Sequence, residues 1–125
     1  METLYREHLM ELIKNPLNKG KLQNPSAVSM VLNPLCGDEI SLQLKIENGR
    51  AADAKFDGTA CGICVASSSL LTEEIKGKTI TELKSFTKEK LMAMLGVNLT
   101  TSRVKCAQLP MDALKLAIID YEGKS

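Results

Sequence analysis

The chain has 125 residues, a net charge of +1 and 44% hydrophobic residues, which suits one modest core and a single domain over residues 1–125. That balance excludes the basic footprint of a nucleic-acid binder, two Phe, two Tyr and no Trp leave no stacking platform, and no apolar run approaches the roughly 20 residues of a membrane helix. The start, Met1-Glu2-Thr3-Leu4-Tyr5-Arg6-Glu7, carries acids and no apolar signal core, so a cytoplasmic protein is expected, in which four cysteines point to metal or thiol chemistry rather than disulfides.

Leu4 to Asn15 reads as an amphipathic helix, with Tyr5, Leu9, Leu12 and Ile13 on one face. His8, the one histidine, lies beside that stripe and reads as a packing or surface residue. Asn15-Pro16 and Gly20 end the helix, because the residue before a proline disfavours helical torsions. Ala27 to Leu32 reads as the first strand, followed by the turn residues Asn33-Pro34-Leu35-Cys36-Gly37-Asp38. In the second strand Ile40, Leu42, Leu44 and Ile46 alternate with polar residues. Asn48-Gly49 follows, the pair that a type I′ hairpin turn demands, and Arg50 to Phe56 makes the third strand. The expected fold class is α+β: a three-stranded antiparallel sheet covered on one face by helices, in a single domain.

Cys61 or Gly62 to Ile75 predicts a long helix with a small-residue buried face. Thr79-Ile80-Thr81-Glu82 has the capping-box pattern and opens a short helix to about Phe86. Thr87 caps another, Lys88 to Leu95, which stops at Gly96. Val97 to Val104 lacks periodicity and reads as a loop. Cys106 then precedes a final helix from Pro110 to Tyr121, proline being suited to a first turn.

Three cysteines thus fall at the ends of elements. In a meander, the first turn and the exit of the third strand share one end of the sheet, so Cys36 and Cys61 can approach each other. Cys106 joins them if the last helix begins at that end. Asp38 follows Cys36 across a flexible glycine and can turn its carboxylate to the same centre. Three thiolates and a carboxylate suit zinc, whereas iron–sulfur clusters are usually held by thiolates alone, so the carboxylate should make a bound cluster labile. Cys61 at a helix start feels the positive end of the helix dipole, and Lys105 beside Cys106 favours that thiolate. Cys64 shares a helix face with Cys61 at CxxC spacing, which leaves three readings: auxiliary ligand, redox partner or small buried residue.

Asn33-Pro34-Leu35-Cys36-Gly37-Asp38, Ala54 to Ile63, Ala66-Ser67-Ser68-Ser69 and Arg103-Val104-Lys105-Cys106-Ala107, in that order, resemble the U-type iron–sulfur cluster assembly scaffolds: the NifU N-terminal domain, IscU and SufU. Leu4-Tyr5 and Asn15 to Gly20 are similar to that family's first helix and following turn, so the resemblance spans nearly the whole chain. It implies a protein that is a scaffold rather than an enzyme. Such a scaffold accepts sulfur from a cysteine desulfurase, holds a [2Fe–2S] cluster transiently and passes it to apo iron–sulfur proteins. It further implies Cys36, Asp38, Cys61 and Cys106 as ligands, with Cys106 as first persulfide acceptor, because the family's corresponding cysteine sits on a mobile loop. Zinc or iron is the alternative occupant, and with zinc the protein acts mainly as a sulfur acceptor; a CxxC oxidoreductase using Cys61 and Cys64 is a further alternative. Oligomeric assembly is left open.

The chain departs from the family in places. Lys105 stands where the IscU branch has histidine, and Arg103-Val104-Lys105-Cys106 is closer to the SufU branch. Yet only 45 residues separate Cys61 from Cys106, too few for the insertion typical of SufU. Thr100 to Val104 replaces the Leu-Pro-Pro-Val-Lys segment that the IscU branch offers to its chaperone, and Cys64 stands where serine is usual.

Overall fold

A computed structural model describes residues 2–34, 37–96, 99 and 101–124. The order of elements is α1 (Glu2–Lys14), β1 (Ala27–Asn33), β2 (Asp38–Glu47), β3 (Arg50–Asp57), α2 (Gly62–Ile75), α3 (Ile80–Lys84), α4 (Lys88–Leu95) and α5 (Thr101–Lys124). The strands form an antiparallel meander in the order β1-β2-β3. Asn48 and Gly49 both have positive φ, 54° and 74°, as the I′ turn between β2 and β3 requires.

The alternation in β2 sets which face is dry. Ile40, Leu42, Leu44 and Ile46 point inward with Ala54 and Phe56 of β3, and all are buried. Leu71 and Ile75 of α2 and Met111, Leu114 and Ile118 of α5 close over them in one core. Burying that apolar surface is the main drive for the fold. A second, smaller cluster joins Leu9 and Leu12 of α1 to Ala66 of α2, Leu95 of α4 and Ala107 of α5. His8 is exposed, as a surface residue.

Both edges of the sheet are attended to. Along β3, Gly20 N–H donates to the Phe56 carbonyl and Phe56 N–H to the Asn18 carbonyl, at 2.9 and 3.0 Å. Along β1, the Val28 N–H donates to Asp120 of α5 and the Ser29 hydroxyl to the Ala113 carbonyl, at 3.3 and 2.6 Å. These bonds lash the part of α5 that follows Pro110 to β1. Thr79 and Glu82 form the capping box at α3, Thr87 caps α4, and Gly96 ends α4 in a left-handed conformation.

One element differs from its sequence reading. The last helix begins at Thr101, nine residues before Pro110, and the proline lies inside it. Thr101 to Val104 are therefore helical rather than a loop, while Val97, Asn98 and Thr100 lie outside the described residues. Cys106 sits in the second turn of α5 and not ahead of the helix. The physical reason is burial: Cys106, Ala107, Leu109 and Met111 are all at most 5% exposed, and their packing outweighs the hydrogen bond that Pro110 forfeits.

Candidate metal centre

The site forms where three elements start. Asp38 opens β2, Cys61 is the N-cap of α2, and Cys106 lies near the N-terminus of α5. A carboxylate oxygen of Asp38 and the sulfurs of Cys61 and Cys106 lie within 4.8 Å of one another. Cys36 lies outside the described residues, so its part in the site rests on sequence.

Each ligand is held by its surroundings. Glu39 N–H donates to the Thr59 carbonyl at 2.8 Å, which ties the start of β2 to the loop that leads to Cys61. Gly58 makes that approach possible. Its φ is +132°, and a Cβ there would stand 2.0 Å from the Glu39 carbonyl oxygen. Cys61 has extended torsions, as an N-cap should, and its carbonyl accepts the Val65 N–H at 3.0 Å. Its backbone N–H donates to Asp38 Oδ1 at 2.9 Å. The Asn33 amide lies 3.9 Å from the Cys106 sulfur, at the end of β1.

The electrostatics favour a cation. Asp38 is 3% exposed, and its Oδ2 is buried with no hydrogen-bond partner among the described residues. Such an oxygen is costly to desolvate without compensation. An ion between it and the two sulfurs would supply that compensation. The donor set, two sulfurs and one oxygen, is one that zinc accepts and that cluster iron accepts at its thiolates.

The remaining residues singled out by sequence separate from this group. Cys64, on α2, is fully buried in the main core and lies outside the group of ligand atoms found among the described residues. Lys105 is exposed on α5 and lines a pocket of about 270 Å³ with Leu32, Asn33, Gln108 and Asp112. Asn33 and Ser67 are the residues near the site that sequence reading gave no role. The Asn33-Pro34 pair signalled only a turn. Ser67 was one of four small residues in a row, and its hydroxyl donates to the Ala107 carbonyl at 2.5 Å.

A helix-backed antiparallel meander with two thiols and a buried carboxylate at one end defines a small α+β domain with a candidate site for a thiophilic ion. A family model described as the NifU-like N terminal domain matches residues 4–125, and the chain belongs to that family. It is 36% identical over 122 residues to the iron–sulfur cluster assembly scaffold protein IscU 1 of Archaeoglobus fulgidus, covering 98% of this chain and 79% of that protein. It is 38% identical to the zinc-dependent sulfurtransferase SufU of Bacillus subtilis, covering 98% of this chain and 95% of that one. That match runs over 140 positions, more than this chain's 125 residues, so SufU carries residues with no counterpart here. Among solved structures, a NifU-like N-terminal protein from Brucella abortus superposes with a TM-score of 0.77 at 25% identity, covering 99% of this chain and 98% of that one.

Proposed function

We propose that this protein is a cytoplasmic scaffold for iron–sulfur cluster assembly. It takes sulfur from a cysteine desulfurase, holds a [2Fe–2S] cluster for a limited time and gives it up to apo iron–sulfur proteins. It acts as a carrier, with iron and sulfur as cargo. The observation that carries this reading is the buried Asp38 carboxylate, one oxygen of which lies within 4.8 Å of the Cys61 and Cys106 sulfurs, in a chain whose relatives include named cluster scaffolds. Cys36, Asp38, Cys61 and Cys106 are the proposed ligands. A carboxylate in place of a fourth thiolate weakens the hold, which suits a cargo meant to leave.

Cys106 is the proposed sulfur acceptor. Its thiolate attacks the outer sulfur of the donor's persulfide. The donor's S–S bond breaks, the sulfur passes to Cys106, and the donor leaves as a thiolate. Because Cys106 is 3% exposed, this step needs the first turns of α5 to open.

The similarity to a zinc-dependent sulfurtransferase, together with Lys105 ahead of Cys106, favours one other reading. In it zinc occupies the site, and the protein accepts sulfur without building a cluster. Anaerobic incubation with ferrous iron, cysteine, a desulfurase and a dithiol reductant, which supplies the electrons that turn the transferred sulfur into sulfide, separates the two. A brown product with iron and sulfide in equal amounts, lost in Cys61→Ala and Cys106→Ala, supports the scaffold. A colourless protein that keeps one zinc overturns it in favour of the second reading.

A further inference from the structure

Pro110 lies inside α5, four residues after Cys106. A proline has no N–H, so it cannot give the Cys106 carbonyl the bond that an α-helix normally supplies, and its ring crowds that carbonyl. The turn that carries Cys106 is therefore joined to the rest of α5 less firmly than an ordinary helical turn. Across this weak point, Ser67 of α2 donates its hydroxyl to the Ala107 carbonyl. Ser67 and Ala107 are both fully buried. Ser67 belongs to the same helix that Cys61 caps, so one rigid element sets both thiols: Cys61 directly, and the Cys106 turn through Ser67.

We infer that Ser67 is a positioning residue for Cys106, a latch that holds the proline-weakened turn of α5 closed on the ligand group. The inference deepens the proposed function, since that function needs Cys106 both seated as a ligand and released as a sulfur acceptor. A helix without Pro110 would resist release. A helix with Pro110 and without Ser67 would not hold its cysteine in place. Ser69 is the internal comparison. It is on the same helix, equally buried, and its hydroxyl accepts the Leu17 N–H at 3.1 Å, away from α5.

The experiment uses the full-length apo protein and needs no desulfurase, so its outcome is separate from that of the cluster assay. Alkylation by iodoacetamide is followed at Cys106 by peptide mass mapping, and cobalt(II) binding by its thiolate charge-transfer absorption. One buried hydrogen bond corresponds to about a tenfold change in the open fraction of the turn. Ser67→Ala is expected to raise the Cys106 alkylation rate about tenfold and to weaken or alter the cobalt spectrum. Ser69→Ala is expected to leave both as in the wild type, although it removes the same group from the same helix. Pro110→Ala restores an N–H and is expected to slow Cys106 alkylation, and it tests the idea even if Ser67→Ala does not fold. Equal alkylation in Ser67→Ala and Ser69→Ala, or unchanged alkylation in Pro110→Ala, overturns the inference.

Discussion

Asp38 divides its carboxylate between Cys61 and the site. Oδ1 accepts the Cys61 N–H at 2.9 Å, Oδ2 is buried with no hydrogen-bond partner among the described residues, and one oxygen of the carboxylate lies within 4.8 Å of the Cys61 and Cys106 sulfurs. One side chain thus both shapes the turn that presents Cys61 and offers a charge to whatever binds. The two roles separate by substitution. Asp38→Asn keeps an oxygen for the Cys61 N–H but removes the charge, so the metal-free protein should be as stable as the wild type or about 1 kcal/mol more stable. Asp38→Ala loses the bond as well and should be about 1–2 kcal/mol less stable. With zinc added, the wild type should gain most. Urea unfolding with and without zinc measures both orders, and an Asn variant that gains as much from zinc as the wild type would sink the ligand role.

The approach of Gly58 to Glu39 gives a second prediction. An alanine there would meet the Glu39 carbonyl and would have to hold a φ of +132°. Gly58→Ala should cost about 2–4 kcal/mol. It should also weaken zinc binding, because the same loop carries Thr59 against Glu39 on the way to Cys61. Denaturation and zinc titration of one sample read both effects. A variant with wild-type stability would show that the loop can shift freely.

Cys64 allows a test by chemistry alone. It is fully buried in the apolar core. Cys64→Ala should cost about 1 kcal/mol and leave metal affinity unchanged. Cys64→Ser buries a hydroxyl and should cost about 1–3 kcal/mol, again without changing the metal site. A loss of zinc affinity in Cys64→Ala would return this residue to the ligand set.

Acid should loosen two surface joints before the core. Hydrogen bonding from Asn18 and then the Lys76 ammonium hold the Glu73 carboxyl below its ordinary range. At Glu82, hydrogen bonds from the Thr79 backbone and side chain do the same. A carboxyl with a depressed folded pKa adds stability above its unfolded pKa, and that stability is lost as pH falls through the folded value. Glu73→Gln and Glu82→Gln should therefore be less stable than the wild type at pH 7 and equal to it at strongly acid pH. Thermal melts across that range check the convergence, and a gap that persists in acid would contradict it. The gap should be small, since both residues are exposed.

The sheet was legible because each of its signals is local. Ile40 to Ile46 alternate, Asn48-Gly49 permits two positive torsions, and Thr79 with Glu82 makes a cap visible in four letters. That the turn before Asp38 and the exit at Cys61 share an end follows from the meander itself. The start of α5 was not legible, because a proline is favoured in a first turn and disfavoured in a helix interior, so Pro110 read as a beginning. Burial decides between them, and burial here comes from residues far away in sequence, such as Ser67 and Ser29. A trace of it was present all the same: Cys106, Pro110, Ala113 and Ala117 keep helical spacing through the proline. The role of Ser67 had no local sign, since one hydroxyl among three serines is marked only by the carbonyl it meets.

The main core, in which Leu42, Leu44, Leu71, Leu114 and Ile118 meet, includes neither Asp38 nor Cys106, and Cys61 touches it only from its margin. Many small metal modules fold only when loaded, because the metal substitutes for a core they lack. Here most of the core lies outside the site. Filling the site adds stability only by mass action, about 2.7 kcal/mol at a hundredfold excess over the dissociation constant. Emptying it removes that increment and leaves the walls standing. A protein arranged in this way can be drained and refilled through many rounds without passing through the unfolded chain.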